Sequence, residues 1–339
     1  MQDQTMLPPT ALPAVSIEPT PTIPPVAGFW YRLAAWFIDS LILGLIGQIV
    51  ALALSSLLFQ IGPYGRPIGW LLILPYFGIL NSRIGGGQTV GKRVLKIAVR
   101  NGANEPIGLA RSLGRIALLT LPNLFNGWAL PIFELPVLAW VVSLLVFGLG
   151  GAIFYTMVFN RKTRQGIHDL VFGTYVVHLV GNPILALPQT ARIHRLVVGA
   201  WIALVAVAML VLSVLTPSIV SSEPMASVLK VHGALKSDER FFSASVMDSV
   251  SFVSNQGSSH TLVINVWYRG NPGNDEKEAI IASVVRTAFD HAATTIDTYD
   301  GIRVTVTSAY DIGVASATLS MTVTQSIDEW RQKLGLDRP

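Results

Sequence analysis

Three charged side chains occupy positions where an apolar chain rarely carries charge: Arg32, Asp39 and Asp169. Arg32 and Asp39 lie seven residues apart in the apolar stretch FWYRLAAWFIDSLIL. Because each helical residue turns the chain by about 100°, this spacing places both side chains on one helix face, about 10 Å apart along the axis. A carboxylate inside an apolar span costs on the order of 3 kcal/mol, so Asp39 requires a partner, water or a proton.

Two kinds of chemistry are compatible with these residues. Asp39 could bind a monovalent cation or a proton, with the positive charge of Arg32 favouring the ionised carboxylate. Alternatively, Arg32, Asp39 and Asp169 form an ion network that fixes helix packing and the turn around Asp169. The residues alone leave both interpretations open.

The composition indicates that most of the chain is embedded in a membrane. Hydrophobic residues make up 51% of the chain and charged residues only 13%, against about 25% charged in soluble domains. Residues 28–217 contain four acidic side chains, whereas residues 218–339 contain fourteen. The basic excess beside the apolar stretches is typical of cytoplasmic loops, and we expect no binding of nucleic acid. We therefore predict a membrane part followed by a soluble domain.

Five segments are candidates to cross a lipid bilayer as helices, which takes about 20 apolar residues each. Three are long and apolar, at residues 29–59, 135–159 and 196–217. The other two, 68–84 and 116–133, are interrupted by Pro and Asn. We predict five spans, with 116–133 either crossing fully or forming a re-entrant hairpin.

Basic loops predict the orientation of these spans. Residues 83–115 hold seven basic side chains and one acidic one, and three more basic side chains follow within 161–164. Since Lys and Arg collect in cytoplasmic loops, both segments should be cytoplasmic, which places the C-terminal domain outside the cytoplasm. A protein with four spans and an internal C-terminal domain is the alternative.

The C-terminal domain has the alternating pattern of strands and one amphipathic helix. Strands are predicted at 248–255, 261–268, 302–307 and 314–324. A helix capped by Asn274 precedes the third strand, and a short helix over 326–334 ends the domain. The predicted fold is ββαββα, an antiparallel sheet packed on a helix, and residues 227–240 could add a turn of helix.

Two sequence motifs accompany the three charges. The first is GGGQTVGKRVLKIAVR at 85–100, and the second is QGIHDLVFGTYVV at 165–177. The β-branched segments RVLKIAVR and GTYVVHL are predicted to pair as a small cytoplasmic sheet that holds Asp169 near the membrane surface.

The order Arg32, Asp39, Asp169 and both motifs resemble the RDD family, which is named for one Arg and two Asp. The resemblance covers about residues 28–178. It implies a bacterial plasma (inner) membrane module of several helices, with cation/proton exchange proposed for some members. It gives no substrate, and the last span and the C-terminal domain lie outside it.

Several other functions are not supported by the sequence. The chain has no Cys, which excludes disulfides and thiol chemistry. Gly86 to Lys92 fits the start of a phosphate-binding loop, but Arg93 stands where that motif needs Ser or Thr. The six His residues show no metal-ligand spacing. We therefore expect no metal, no cofactor and no enzymatic activity.

The predicted organisation has four parts. Residues 1–27, with seven prolines, form a disordered cytoplasmic tail. Residues 28–180 form the RDD-like membrane domain of about four spans, 181–217 a linker and fifth span, and 218–339 the extracytoplasmic domain. The expected partners are the lipid bilayer and a monovalent cation or proton, or a second copy of the chain or an envelope protein bound by the C-terminal domain.

Overall fold

The computed structural model describes residues 25–127, 136–180, 188–220, 225–253 and 257–336. The predicted tail at 1–24 therefore lies outside the described residues, as do parts of the segment 116–133 and of the linker 181–217. Val26 makes an isolated bridge with Val177, so the chain is ordered directly before the first helix.

The membrane part consists of helices with one small sheet. Its helices are α1 (Phe29–Ala53), α2 (Ser55–Ile61), α3 (Arg66–Leu80), α4 (Val90–Val94), α5 (Leu109–Phe125), α6 (Pro136–Ser143), α7 (Gly150–Phe159), α8 (Ile167–Val171) and α9 (Arg192–Val220). Gly62–Gly65 forms a 3-10 turn between α2 and α3, and a π-helical stretch, Leu144–Leu149, joins α6 to α7.

Helix α1 buries one narrow stripe and exposes the rest of its surface. The buried side chains recur every three or four residues: Arg32, Ala35, Asp39, Leu43, Gly47 and Ala51. This spacing follows the period of the α-helix, so the two charges share the buried face, as their spacing predicted. The remaining faces carry large exposed apolar side chains, which suits contact with lipid.

Among the residues that the structure describes, three helices are long and apolar enough to cross a membrane: Phe29–Ala53, Val137–Phe159 and Arg192–Leu215. The other two predicted spans are shorter helices. Helix α3 has 15 residues and α5 has 17, which gives each a length of about 22–26 Å. The predicted count of about five spans is thus not confirmed. Helix α5 begins at Leu109, before the predicted 116.

A two-stranded antiparallel sheet lies beside the start of α1. Strand β1 (Ile97–Asn101) pairs with β2 (Thr174–His178), with Val99 opposite Val176. The pairing predicted between the RVLKIAVR and GTYVVHL segments is confirmed. The backbone amide of Ala27 donates to the Val176 carbonyl at 2.8 Å, which ties the entry of α1 to this sheet.

The C-terminal domain has a four-stranded sheet in the order β3-β4-β5-β6, flanked by helices. Its elements are α10 (Met225–Lys236), β3 (Phe241–Val253), β4 (Gly257–Tyr268), α11 (Asn274–His291), β5 (Gly301–Asp311), β6 (Ser316–Ser326) and α12 (Ile327–Leu334). The helix expected within 227–240 is a full element of 12 residues. The N-cap of α11 is Gly273, and the predicted cap, Asn274, is its first helical residue.

The prediction of an antiparallel sheet is wrong for one strand pair. Strands β4 and β5 run parallel, from Thr261 opposite Gly301 to Trp267 opposite Thr307. The reason is that α11 lies between them in sequence and carries the chain back across the sheet, as a crossover helix does. The sheet is therefore mixed.

One face of this sheet is packed, and the other carries mainly hydroxyl side chains on β5 and β6. The packed face contributes Ile264, Val304 and Val306 to a core shared with α10 and α11. Trp330 of α12 is fully buried in the same core, and its indole nitrogen donates to the Ile302 carbonyl at 3.1 Å. Period-two alternation of the strands produces this division.

The end of β5 and the turn that leads to β6, residues 311–315, pack against the membrane part. We call this segment the hairpin tip. Ile312 is fully buried with Ala51 of α1 and Leu58 and Phe59 of α2. The hairpin tip therefore lies near the end of α1, whereas Arg32 lies near its beginning. Below, the end of the membrane part beside the hairpin tip is called the tip end. The opposite end, where Arg32 lies with the other buried charges, is called the cluster end.

Candidate functional site

Asp169 is the centre of a buried ion network at the cluster end. The guanidinium of Arg32 donates to Asp169 Oδ2 at 3.0 Å, and that of Arg115 donates to Oδ1 at 2.7 Å. The hydroxyl of Thr174 donates to Oδ1 at 2.9 Å. Asp169 has no exposed surface, and both arginines are buried. A buried carboxylate paired with two guanidinium groups on other helices ties α1, α5 and α8 together.

Asp39 occupies a separate position and does not receive the hydrogen bond of Arg32. Its Oδ1 accepts hydrogen bonds from the Tyr76 hydroxyl and from the Gly91 backbone amide, both at 2.8 Å. Its Oδ2 accepts one from the Thr89 hydroxyl at 2.5 Å. Asp39 is 1% exposed. Three of about four acceptor positions of this carboxylate are therefore filled by the protein itself.

The glycine-rich loop is shaped to bring an amide to Asp39. Thr89 caps the N-terminus of α4 by accepting a hydrogen bond from the Lys92 amide. A Cβ on Gly91 would lie 2.1 Å from the Ala35 carbonyl oxygen of α1. Only Gly permits this approach of α4 to α1, and the approach places the Gly91 amide beside Asp39.

Lys92 adds a third cation to the cluster. Its ammonium donates to Asn81 Oδ1 at 2.6 Å. Burial lowers the pKa of Lys92 to about 7, and the positive charge of Arg115 acts in the same direction. Protonated Lys92 with Arg32 and Arg115 gives three cations against two carboxylates. Below about pH 7, an additional cation would therefore meet a net positive surrounding.

The charges at Asp169 are fixed over the physiological pH range. Burial alone would raise the pKa of Asp169, but the positive charges of Arg115, of His168 in its protonated form at low pH, and of Arg32 hold it below its usual range. Burial lowers the pKa of the adjacent His168 to about 3, so its imidazole is neutral at pH 7. Asp169 therefore acts as a permanent anion, and Lys92 is the group near it that titrates close to neutral pH.

Substitution of Lys92 by Met is expected to remove a pH dependence of stability. Lys92 binds its proton more weakly in the folded protein, with a pKa of about 7 against the ordinary 10.5. The unfolded chain thus binds more protons between these values, so the parent becomes more stable as pH rises through this window. Unfolding temperatures in detergent at about pH 7 and about pH 9.5 measure the effect. Equal pH slopes for parent and Lys92→Met would contradict the assignment.

The sequence indicates the three charged side chains Arg32, Asp39 and Asp169 but not their partners. In the sequence Arg115 is one of seven basic residues in a loop, and nothing there marks it as a partner of Asp169, with which it pairs as closely as Arg32 does. Thr89 lies inside the glycine-rich motif at 85–100, and that position could have suggested it as a hydrogen-bond donor to Asp39. Tyr76 carried no signal, because an apolar helix with one Tyr shows no sign of which carboxylate its hydroxyl meets.

The fold and the cluster together define a membrane module of several helices with a buried charged centre. The RDD family model matches residues 26–173. The resemblance drawn from the three charges and two motifs is therefore confirmed for residues 26–173, the part of the chain that the family model matches. Strand β2, helix α9 and the whole C-terminal domain lie outside the match.

Two proteins of Bacillus subtilis strain 168, both described as uncharacterized, are similar to this part of the chain. YxaI is 26% identical over 174 residues, which cover 45% of this chain and 97% of the relative. YckC is 27% identical over 152 residues, covering 45% of this chain and 84% of the relative. No solved structure matches the chain. These relatives align with less than half of the chain.

Proposed function

We propose that this protein is a non-transporting membrane scaffold, in which the RDD module is a closed anchor that presents the C-terminal domain to a partner. The observation that carries the proposal is the environment of Asp39. Its carboxylate is 1% exposed and holds three hydrogen bonds from Tyr76, Thr89 and Gly91. A carboxylate held in this way stabilises the contact between α1, α3 and α4, and few of its acceptor positions remain for a passing ion.

Helix directions support five passes through the membrane. Helix α3 begins at Arg66, beside the hairpin tip, and ends next to Asn81 at the cluster end. Helix α5 runs back, from Arg115 at the cluster end to Asn123, whose carbonyl accepts from Arg66 at 2.7 Å. Both short helices therefore run between the same two ends as α1. Together with the three longer helices, these two short helices make five passes, which is an odd number.

An odd number of passes puts the cluster end and the C-terminal domain on opposite sides of a bacterial plasma membrane. The cluster end carries the basic loops, and because Lys and Arg collect in cytoplasmic loops, this end is assigned to the cytoplasmic side. The C-terminal domain then lies outside the cytoplasm, where it can meet an envelope protein or a second copy of the chain.

The absence of Cys makes the orientation simple to measure. We expect Ala103→Cys, in an exposed turn at the cluster end, to react with a membrane-impermeant maleimide only after the plasma membrane is opened. We expect Glu278→Cys, exposed on α11, to react once the outer envelope is permeabilised. Reaction of both single-Cys proteins on the same side would contradict the five-pass arrangement.

The outward face of the sheet is a suitable surface for a polar partner. Hydroxyl side chains form pairs across β5 and β6: Thr305 with Thr322 at 3.0 Å on the exposed part of the face, and the buried Thr307 with the exposed Ser320 at 3.1 Å. Such pairs order the face and leave it rich in donors and acceptors. We assign the recognition of an envelope protein to this face.

A photo-crosslinker on Cys tests the scaffold. Thr318→Cys is an exposed position on β6, and Glu278→Cys on α11 is its control. The proposal predicts one discrete protein adduct in intact envelopes for Thr318→Cys and none of that size for Glu278→Cys. An adduct with a second copy would assign the face to self-assembly. Diffuse or equal adducts at both positions would reject recognition by this face.

Cation/proton exchange is the second candidate, and one observation favours it. Asp39 is a carboxylate within a helix that is apolar enough to span a membrane, and intramembrane acids commonly serve ion or proton pathways. Exchange predicts an ion flux that depends on Asp39, whereas a scaffold predicts no ion flux.

A further inference from the structure

The hairpin tip packs into a groove that is lined by three glycines. A Cβ on Gly69 of α3 would lie 1.7 Å from the Ile312 carbonyl oxygen, and one on Gly47 of α1 would lie 2.8 Å from the Val314 side chain. A Cβ on Gly65 would lie 3.0 Å from the Ile312 side chain. We call Gly47, Gly65 and Gly69 the glycine groove. Its three positions lie on separate elements and all face the tip.

Val314 reaches further into the membrane part than the rest of the tip. It packs on a buried cluster made by Leu43 of α1, Phe77 of α3 and Ile116 of α5. Leu43 follows Asp39 by one helical turn, or about 6 Å along the axis. Phe77 directly follows Tyr76, whose hydroxyl binds Asp39. Val314 therefore packs on a cluster whose α1 member, Leu43, is one turn from Asp39.

Further contacts hold the tip against the membrane part. Arg66 pairs with Asp311 at 2.7 Å, and the side chains are 16% and 36% exposed. Phe59 packs edge-on against Tyr310, with ring centroids 5.0 Å apart. The Gly270 amide of the same domain donates to the Phe59 carbonyl at 3.0 Å. Polar contacts lie at the rim and apolar contacts inside, as in a docked interface.

We propose that the hairpin tip is a plug that closes a groove between α1, α3 and α5 leading towards Asp39. Because the groove is lined with Gly, its own helices offer few side chains to fill the space if the tip leaves. Withdrawal of Val314 would then open a path for water from the tip end to the neighbourhood of Asp39. This inference goes beyond the scaffold proposal, since it assigns to the hairpin tip the role of keeping the RDD-like module closed.

Labelling of Leu43→Cys tests the plug in the full chain reconstituted in lipid vesicles. Leu43 is 5% exposed beneath Val314. The rate of reaction with a small cationic methanethiosulfonate is compared in three backgrounds: otherwise unchanged, Val314→Gly, and Arg66→Gln. Ile153→Cys on α7, 7% exposed and outside the groove, is the matched control in each background.

The plug predicts a rise of at least about tenfold in the Leu43→Cys rate in either variant, because reaction of a buried thiol follows the open population. The rate at Ile153→Cys stays unchanged. Unaltered Leu43→Cys rates in both variants would overturn the proposal. Equal acceleration at Ile153→Cys would overturn it too, since the tip would then hold the helices together instead of closing a groove between them.

Discussion

Replacing Asp169 by Asn is expected to destabilise the protein by about 3–5 kcal/mol, because it leaves Arg32 and Arg115 buried without a full counter-charge. Both guanidinium groups are bound to this carboxylate in a region that excludes water. The loss should appear as a lower yield of folded protein and a lower unfolding temperature in detergent. Asn retains the size of the side chain, so lost volume cannot cause the effect.

Two matched substitutions separate this effect from the change of side-chain type. Asp238→Asn removes an ion pair with Arg240 whose side chains are 26% and 49% exposed, and such a pair contributes about 0–1 kcal/mol. Asp39→Asn should cost about 1–3 kcal/mol, since Asn Oδ1 can still accept from Tyr76 and Gly91. Equal losses for Asp169→Asn and Asp238→Asn would contradict the ion network.

Gly69→Ala is expected to expel the hairpin tip from its groove. A Cβ at this position would lie 1.7 Å from the Ile312 carbonyl oxygen, a backbone atom that cannot turn aside. Overpacking of this kind costs up to about 3 kcal/mol. A cost of about 3 kcal/mol would lower the ratio of docked to undocked C-terminal domain by about 150-fold. Gly199→Ala on α9 is the control, because nothing lies within 4 Å of its added Cβ.

Paired spin labels measure this docking. Labels at Leu57→Cys, exposed on α2, and Glu278→Cys, exposed on α11, report the separation of the two parts. We expect one narrow distance distribution for the parent and for Gly199→Ala, and a broad one for Gly69→Ala. A narrow distribution for Gly69→Ala, centred on the parent distance, would show that the groove tolerates a side chain and would contradict the fit.

The sequence predicted local features better than contacts between distant elements. The seven-residue spacing of Arg32 and Asp39 was enough to place both on one buried helix face. It could not show that Arg32 binds Asp169 and leaves Asp39 to Tyr76, because those partners arrive from other helices. Spacing within one element therefore predicts a shared face, and the choice of partner depends on tertiary packing.

The same limit explains the sheet and the hairpin tip. The alternation of β4 and β5 indicated strands, but alternation is the same for parallel and antiparallel neighbours. Only the position of α11 between them could have suggested a crossover. The segment DIGVA at 311–315 has the composition of an ordinary exposed turn, and its burial depends on glycines about 245–265 residues earlier in the chain.

The most direct test of the closed-anchor proposal is cation/proton exchange by the purified full chain in sealed vesicles with an imposed pH gradient. Parent and Asp39→Asn are compared for each alkali cation, with correct insertion verified by labelling Glu278→Cys. The proposal predicts that proton movement on cation addition is the same for parent, Asp39→Asn and protein-free vesicles. Exchange by the parent that is lost in folded Asp39→Asn would contradict it.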